Sequence, residues 1–165
     1  MPIIGSRTVQ ACRARNIART SDAVEEKSLV DRLPAERRSW LMSRVKSKNT
    51  SPELRVRRVA HSLGLRFRLH REDLPGRPDL VFPRHKVAVF VHGCFWHRHP
   101  GCRKASMPKS RTEYWQRKFD ANVSRDATAE RELPRLGWRV LIFWECETRD
   151  PAAVIETLCR HLRGD

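Results

Sequence analysis

The segment His92-Gly93-Cys94-Phe95-Trp96-His97-Arg98-His99-Pro100-Gly101-Cys102 gathers two thiols and three imidazoles into eleven residues. Thiolates and neutral imidazoles are the donors zinc prefers, and a structural zinc takes four of them in a tetrahedron. Cys94, His99 and Cys102 can supply three donors from this loop, with Pro100-Gly101 turning the chain between them. Cys146, just beyond a later apolar stretch, can supply the fourth. Four protein ligands leave no position for water, so such an ion would pin an irregular loop to its sheet and would not itself react. The competing account is a scatter of buried cysteines and surface histidines. The density of donors favours the metal, although the spacing is that of no standard finger.

His92 and His97 remain once those ligands are assigned. Imidazoles titrate near neutrality and suit proton transfer, but spacing alone does not separate that role from an alternative ligand or a bystander. Phosphodiester hydrolysis needs a hard cation on the scissile phosphate and a base for the attacking water, so an Asp beside spare histidines is suggestive. Asp79 is the candidate, although a Pro78-Asp79 turn before a strand is the commoner meaning of that pair. Glu53 is equally open, because a Glu in a first helical turn often only complements the helix dipole. Phe95, Trp96 and Trp115 lie in or just after the polar loop, where they could wedge between bases or pack around the zinc. Arg111, Arg117, Lys118 and Arg125 follow on one long polar segment, as phosphate contacts or as a solvated face.

The elements that must position these groups are legible in outline. Residues 1–32 are rich in Arg, Ser, Thr and Ala without apolar periodicity and read as a disordered basic arm, leaving one domain over 33–165. Pro34 opens a helix to about Val45. Ser51 as cap, Pro52 at the first helical position and Gly64 at the stop frame a second. Arg77–Phe82 and Lys86–Val91 form a hairpin around Pro83-Arg84-His85. Thr112 caps a long helix ended by Pro134 and Gly137, Trp138–Trp144 is a strand of buried type, and Asp150-Pro151 opens a final helix. The sum is an α/β fold, a mixed central sheet flanked by helices.

Composition sets the partner class. Lys plus Arg number 34 against 19 Asp plus Glu, a formal net charge of +15, which calls for a polyanion. No apolar run approaches the roughly 20 residues of a spanning helix, so nucleic acid is favoured over a membrane. Five cysteines without a secretory signal point to the reducing cytoplasm, where a Cys/His cluster is more often a metal site than a disulfide framework. Cys12 and Cys159 have no place in this scheme.

Four motifs occur in order: Leu74-Pro75-Gly76-Arg77-Pro78-Asp79, Phe90-Val91-His92-Gly93-Cys94-Phe95-Trp96-His97, Arg111-Thr112-Glu113-Tyr114-Trp115 and Leu136-Gly137-Trp138-Arg139-Val140. Together they closely resemble the very-short-patch repair (Vsr) endonucleases, over about residues 36–147. The resemblance implies a fold like that of type II restriction endonucleases and a magnesium-dependent, strand-specific nick 5′ to the T of a T:G mismatch, the product of 5-methylcytosine deamination. It implies magnesium on Asp79 and the backbone carbonyl of Val91, His97 as general base, His92 in the phosphate and water network, and Glu53 as a positioning group. It places zinc on Cys94, His99, Cys102 and Cys146. Phe95, Trp96 and Trp115 become an intercalating wedge, Met42 enters from the other groove, and Lys118 and Asp126 make supporting contacts. A monomer in the bacterial cytoplasm, associated with the nucleoid, is expected to act on mismatched duplex DNA beside mismatch-repair proteins and a repair polymerase. The flanking bases are expected to follow a companion cytosine methyltransferase.

Two departures stand out: Val91 replaces a Thr of some members, and the Cys94–Cys102 loop is one residue longer than in some. Where many nucleases carry D/E-x-K, the second strand carries Phe90-Val91-His92, which disfavours a catalytic lysine. The alternatives are a noncatalytic zinc-stabilised binder of damaged DNA, which leaves Asp79, His92 and His97 idle, and a sequence-specific nuclease for matched duplex.

Overall fold

The computed structural model describes residues 34–44, 46 and 48–162. The expected arm over residues 1–32, the domain start at Leu33, the helix end at Val45 and Cys12 lie outside them. The elements run α1 (Ala35–Ser43), α2 (Ser51–Ser62), β1 (Arg68–Leu69), β2 (Leu80–Phe82), β3 (Val87–His92), α3 (Thr112–Arg135), β4 (Arg139–Trp144) and α4 (Pro151–Leu162).

The four strands form one mixed sheet in the order β1-β2-β3-β4. β1 and β3 each run antiparallel to β2, and β4 runs parallel to β3 with Val87 opposite Arg139 and His92 opposite Trp144. A parallel neighbour demands a long crossover, and the loop after β3 together with α3 provides it.

Side chains alternate across the sheet with period two. Leu80, Phe82, Val87, Val89, Leu141 and Phe143 face one way, against Val56, Val59 and Ala60 of α2 and Val154, Leu158 and Leu162 of α4. Val81, Ala88, Phe90, Val140 and Ile142 face the other way, against Ala129 and Leu133 of α3 with Leu74 and Trp138. Each buried Val, Leu or Phe contributes about 1.5–3 kcal/mol, so the two apolar layers fix which way every strand residue points. The functional residues inherit that alternation.

Several boundaries differ from the sequence reading. Thr50, not Ser51, caps α2, because Glu53 three residues on reaches back to the Thr50 backbone N–H at 3.2 Å. Arg111, in a left-handed conformation with φ 53°, precedes α3, and Thr112 is its first helical residue rather than its cap. Pro134 does not end α3. It lies inside the helix, which goes without the one N–H donor that proline lacks, and the stop comes at Gly137, whose φ of 77° lets Gly137 and Trp138 bond back to the carbonyls of Pro134 and Leu133. β4 is not buried throughout: it is an edge strand, and Arg139 is exposed while Leu141 and Phe143 are covered. β1, only two residues long, carries no periodic signal. Gly76 is a steric requirement: at φ 75°, a Cβ there would lie 2.6 Å from that of Ala129 on α3.

Candidate active site

Topology brings the candidate groups to one end of the sheet. The start of β2 lies beside the end of β3 because the two are antiparallel, and β4 ends beside β3 because those two are parallel. Asp79 immediately precedes β2, His92 and Trp144 are the last residues of β3 and β4, and Cys94 and Cys146 follow each by two. Among the described residues three polar clusters result, each with donor atoms within 4.8 Å of one another: Cys94, His99, Cys102 and Cys146; His92, His97 and Asp126; and Glu53, His70 and Asp79.

The first cluster has the donor chemistry and dimensions of a zinc site. Bonds of about 2.3 Å to sulfur and 2.0–2.1 Å to nitrogen, arranged tetrahedrally, place a sulfur and a nitrogen donor about 3.5 Å apart. The His99 Nδ1 lies 3.6 Å from the Cys94 Sγ and 3.4 Å from the Cys146 Sγ. Burial first, then the neighbouring thiols, pushes the Cys94 thiol up to about 12, so a thiolate here calls for a bound cation. The distant Cys146 and the loop histidine are thus brought together as the spacing suggested.

In the second cluster His97 Nδ1 lies 2.5 Å from Asp126 Oδ2. A carboxylate in that place accepts the Nδ1 proton and leaves the Nε2 lone pair available for a proton from elsewhere. The His92 ring stacks on His97 with centroids 4.0 Å apart and planes 7° from parallel. Burial, reinforced by the neighbouring His97, lowers the His92 pKa to about 4 despite Asp126, so His92 is neutral at physiological pH. Asp126, expected among supporting DNA contacts, is held between the two histidines: its Oδ1 lies 3.8 Å from His92 Nε2.

In the third cluster Glu53 is already satisfied. It accepts from the backbone N–H groups of Asn49 and Thr50 and from Arg57, whose Nη2 is 2.7 Å away. The same guanidinium lies 3.1 Å from His70 Nε2 and donates to Asn49 Oδ1 at 2.5 Å. Among the described residues no basic side chain forms an ion pair with Asp79. Its Oδ2 accepts the Val91 backbone N–H at 2.7 Å, yet burial raises the carboxyl from 3.8 to about 6, with the nearby Glu53 adding to the rise. With Glu53 and His70 it forms a group whose donor atoms could hold a metal ion, and its oxygens are of the hard kind a divalent cation takes. Arg57 and His70 went unmarked in the sequence reading. The i, i+4 spacing of Glu53 and Arg57 carries a signal for the first; nothing in the motifs marks His70, which follows β1 in a left-handed turn at φ 46°.

The aromatic residues build a platform beside these clusters. Trp115 is buried between Phe95, Trp96, Tyr114 and Phe119, so it forms the base of the platform, while Phe95 and Trp96 are half-exposed. Asn122 braces Trp96 by donating to its carbonyl at 3.0 Å, and the Arg98 guanidinium covers the Phe119 ring. Lys118 is exposed over Tyr114. A shallow cavity of about 520 Å³ opens beside this platform, lined by Met107, Thr112, Glu113, Gln116 and Arg117, and not over the carboxylates. Met42 is exposed on α1, beside Trp40, whose ring is covered by Arg37 and Arg44. Cys159 lies half-buried on α4, away from all three clusters.

The chain resembles known proteins over most of its length. The family described as DNA mismatch endonuclease Vsr matches residues 30–104. A type II nicking enzyme, V.XorIIP, of Xanthomonas oryzae is 55% identical over 76% of this chain and 92% of its own length. The DNA mismatch endonuclease Vsr of Escherichia coli is 43% identical over 68% of this chain and 71% of its own, and a type II nicking enzyme, V.NmeAIP, of Neisseria meningitidis is 38% identical over 82% and 96%.

Proposed function

From its membership of the Vsr family, to which this chain belongs, we propose that the protein is a magnesium-dependent endonuclease that nicks one DNA strand 5′ to the T of a T:G mismatch. The observation that carries the reading is the His97–Asp126 pair set beside a raised, cation-seeking Asp79. Phosphodiester hydrolysis uses both a hard cation to neutralise the phosphate and an oriented imidazole to take the proton of water, and the arrangement supports that reading.

Asp79 and the Val91 carbonyl would hold magnesium, which would supply charge neutralisation at the scissile phosphate. His97 takes the proton of the attacking water at Nε2, while Asp126 holds Nδ1 and stabilises the imidazolium that forms. His92, neutral and stacked on His97, keeps a second positive charge out of that step and faces the phosphate and water network. Glu53 positions neighbouring groups, with Arg57 balancing its charge. Cys94, His99, Cys102 and Cys146 would hold zinc, which would tie the loop after β3 to the ends of β3 and β4.

Phe95 and Trp96, supported from beneath by Trp115, form the wedge that unstacks the mismatched step, at a cost of a few kcal/mol that a mispair lowers. Met42 enters the opposite groove and Lys118 contacts phosphate. The sheet and its flanking helices correspond, in this reading, to the type II restriction-endonuclease fold. No helix among the described residues is long and apolar enough to cross a membrane. We assign the protein to the bacterial cytoplasm, at the nucleoid, as a monomer acting with mismatch-repair proteins and a repair polymerase.

The test is nicking of an end-labelled duplex carrying one T:G mismatch and of its T:A control, with and without magnesium, by wild type and Asp79→Ala. Magnesium-dependent cutting confined to the mismatched T strand and lost in Asp79→Ala is the expected result. Binding without cutting across several flanking contexts would favour the noncatalytic module, and equal cutting of the T:A duplex a sequence-specific nuclease.

A further inference from the structure

We propose that Trp144 is a positioning residue that transmits the order of the zinc cluster to the histidine pair. The inference rests on the reading of His92 and His97 given above, but its geometry is independent of the substrate. His99 stacks on the Trp144 indole with centroids 4.2 Å apart and planes 7° from parallel. The indole also meets His92 at 5.4 Å and 74°, an edge contact, and His92 in turn lies flat on His97 at 4.0 Å. His97 is fixed at its far end by Asp126. One continuous run of rings therefore joins a metal-cluster imidazole to the imidazole with the free Nε2.

The backbone reinforces the run. His92 and Trp144 are opposite one another as the last pair of the parallel ladder, and the Glu145 N–H donates to the His92 carbonyl at 2.8 Å. Cys94 and Cys146 each follow that pair by two residues. Closing the Cys/His cluster consequently clamps both strand ends, and the indole fills the space between the clamp and His92. Removing the ring while keeping the cluster would leave His92 without a wall on one side, and with it the plane against which His97 lies. Aromatic pairs of this kind add only modestly to the effect of their buried area, too little to hold the fold but enough to select one ring orientation. Nothing in the spacing of the sequence distinguishes Trp144 from any other apolar residue of β4, which is why it was read only as part of a strand.

The experiment compares zinc-loaded wild type, Trp144→Leu and Trp144→Phe by three measurements: zinc per chain, the histidine ring ¹H–¹⁵N spectrum, and single-turnover nicking with DNA affinity measured in parallel. In Trp144→Leu one zinc per chain is retained and DNA affinity stays within about twofold, while the hydrogen-bonded His97 Nδ1–H resonance broadens or disappears. The nicking rate falls about 10- to 100-fold, the scale of a misplacement near 1 Å. Trp144→Phe, which keeps an aromatic face, recovers the resonance and most of the rate. The proposal is overturned if the His97 signal in Trp144→Leu matches wild type. Loss of zinc from that variant overturns it too, since the ring would then only support the metal loop. A wild type that does not nick T:G duplex defeats the functional reading instead, and the spectrum still decides the role of Trp144.

Discussion

Asp79→Asn should stabilise the protein while abolishing its activity. Burial raises the Asp79 carboxyl from 3.8 to about 6 in the metal-free fold, so above pH 6 the folded state holds a charge it disfavours. At about 1.36 kcal/mol per unit, that rise corresponds to roughly 3 kcal/mol at pH 7.5. The sign follows from proton counting: between pH 6 and 4 the folded state binds the proton more readily than the unfolded chain, so this penalty fades as pH falls, to about half at pH 5. Asn is neutral at every pH, and its Oδ1 can still accept the Val91 N–H now bonded to Asp79 Oδ2 at 2.7 Å. The variant should therefore melt roughly 6–12 °C above wild type at pH 7.5 in zinc-loaded, magnesium-free protein, with the gap narrowing by pH 5. Added magnesium should raise the melting temperature of wild type only, because the variant has lost the charge that attracts the ion. Thermal unfolding followed by circular dichroism, with zinc content checked at both pH values, measures all of this. A variant no more stable than wild type at pH 7.5 would falsify the description of Asp79 as a desolvated carboxylate kept for a cation.

Three further substitutions test other parts of the site. Asp126→Asn turns a carboxylate 2.5 Å from His97 Nδ1 into an amide that can present its NH₂ and favour the wrong tautomer, so the nicking rate should fall about 10²- to 10⁴-fold with DNA affinity within about threefold. A rate within threefold of wild type would sink the assignment of His97 as base. Cys146→Ser removes the one cluster donor that lies on the far side of the crossover from the loop, so metal analysis should find zinc falling from one per chain toward none, with a lower, broadened melting transition; retention of a full equivalent would exclude the four-ligand site. Gly76→Ala places a methyl 2.6 Å from the Ala129 Cβ at a backbone φ of 75°, so denaturant unfolding should show a loss of about 2–4 kcal/mol with an unchanged slope. A loss under about 0.5 kcal/mol would mean the loop before Asp79 is not fixed against α3.

What could be read from the sequence, and what could not, follows from how local each signal is. The apolar, β-branched runs at residues 80–82 and 87–91 and the helical spacing of Val56, Val59 and Ala60 are properties of short windows, and each of these segments takes its expected form in the core. The Cys94, His99 and Cys102 donors also lie within one loop, and Cys146 could be added because a tetrahedral site needs a fourth. The catalytic environment is different. Asp79 reads as an ordinary turn residue until β2 and β3 are paired, because only that register brings the Val91 N–H to its carboxylate and buries it beside Glu53. Arg57 and His70 owe their places to a contact between positions 13 apart in sequence and Trp144 to one across the β3–β4 ladder, and side-chain type alone says nothing of such pairings. Asp126 shows the limit most plainly. On α3 it is one polar residue among many, and it becomes the partner of His97 only when the crossover lays that helix along the sheet with Ala129 and Leu133 turned inward. Motif matching reached it by position but supplied a different role, because a motif preserves which residue is present and not which atom it faces. The geometry of this site therefore resides in the topology: a parallel strand added to a hairpin, with the helix between them carrying the carboxylate that meets His97.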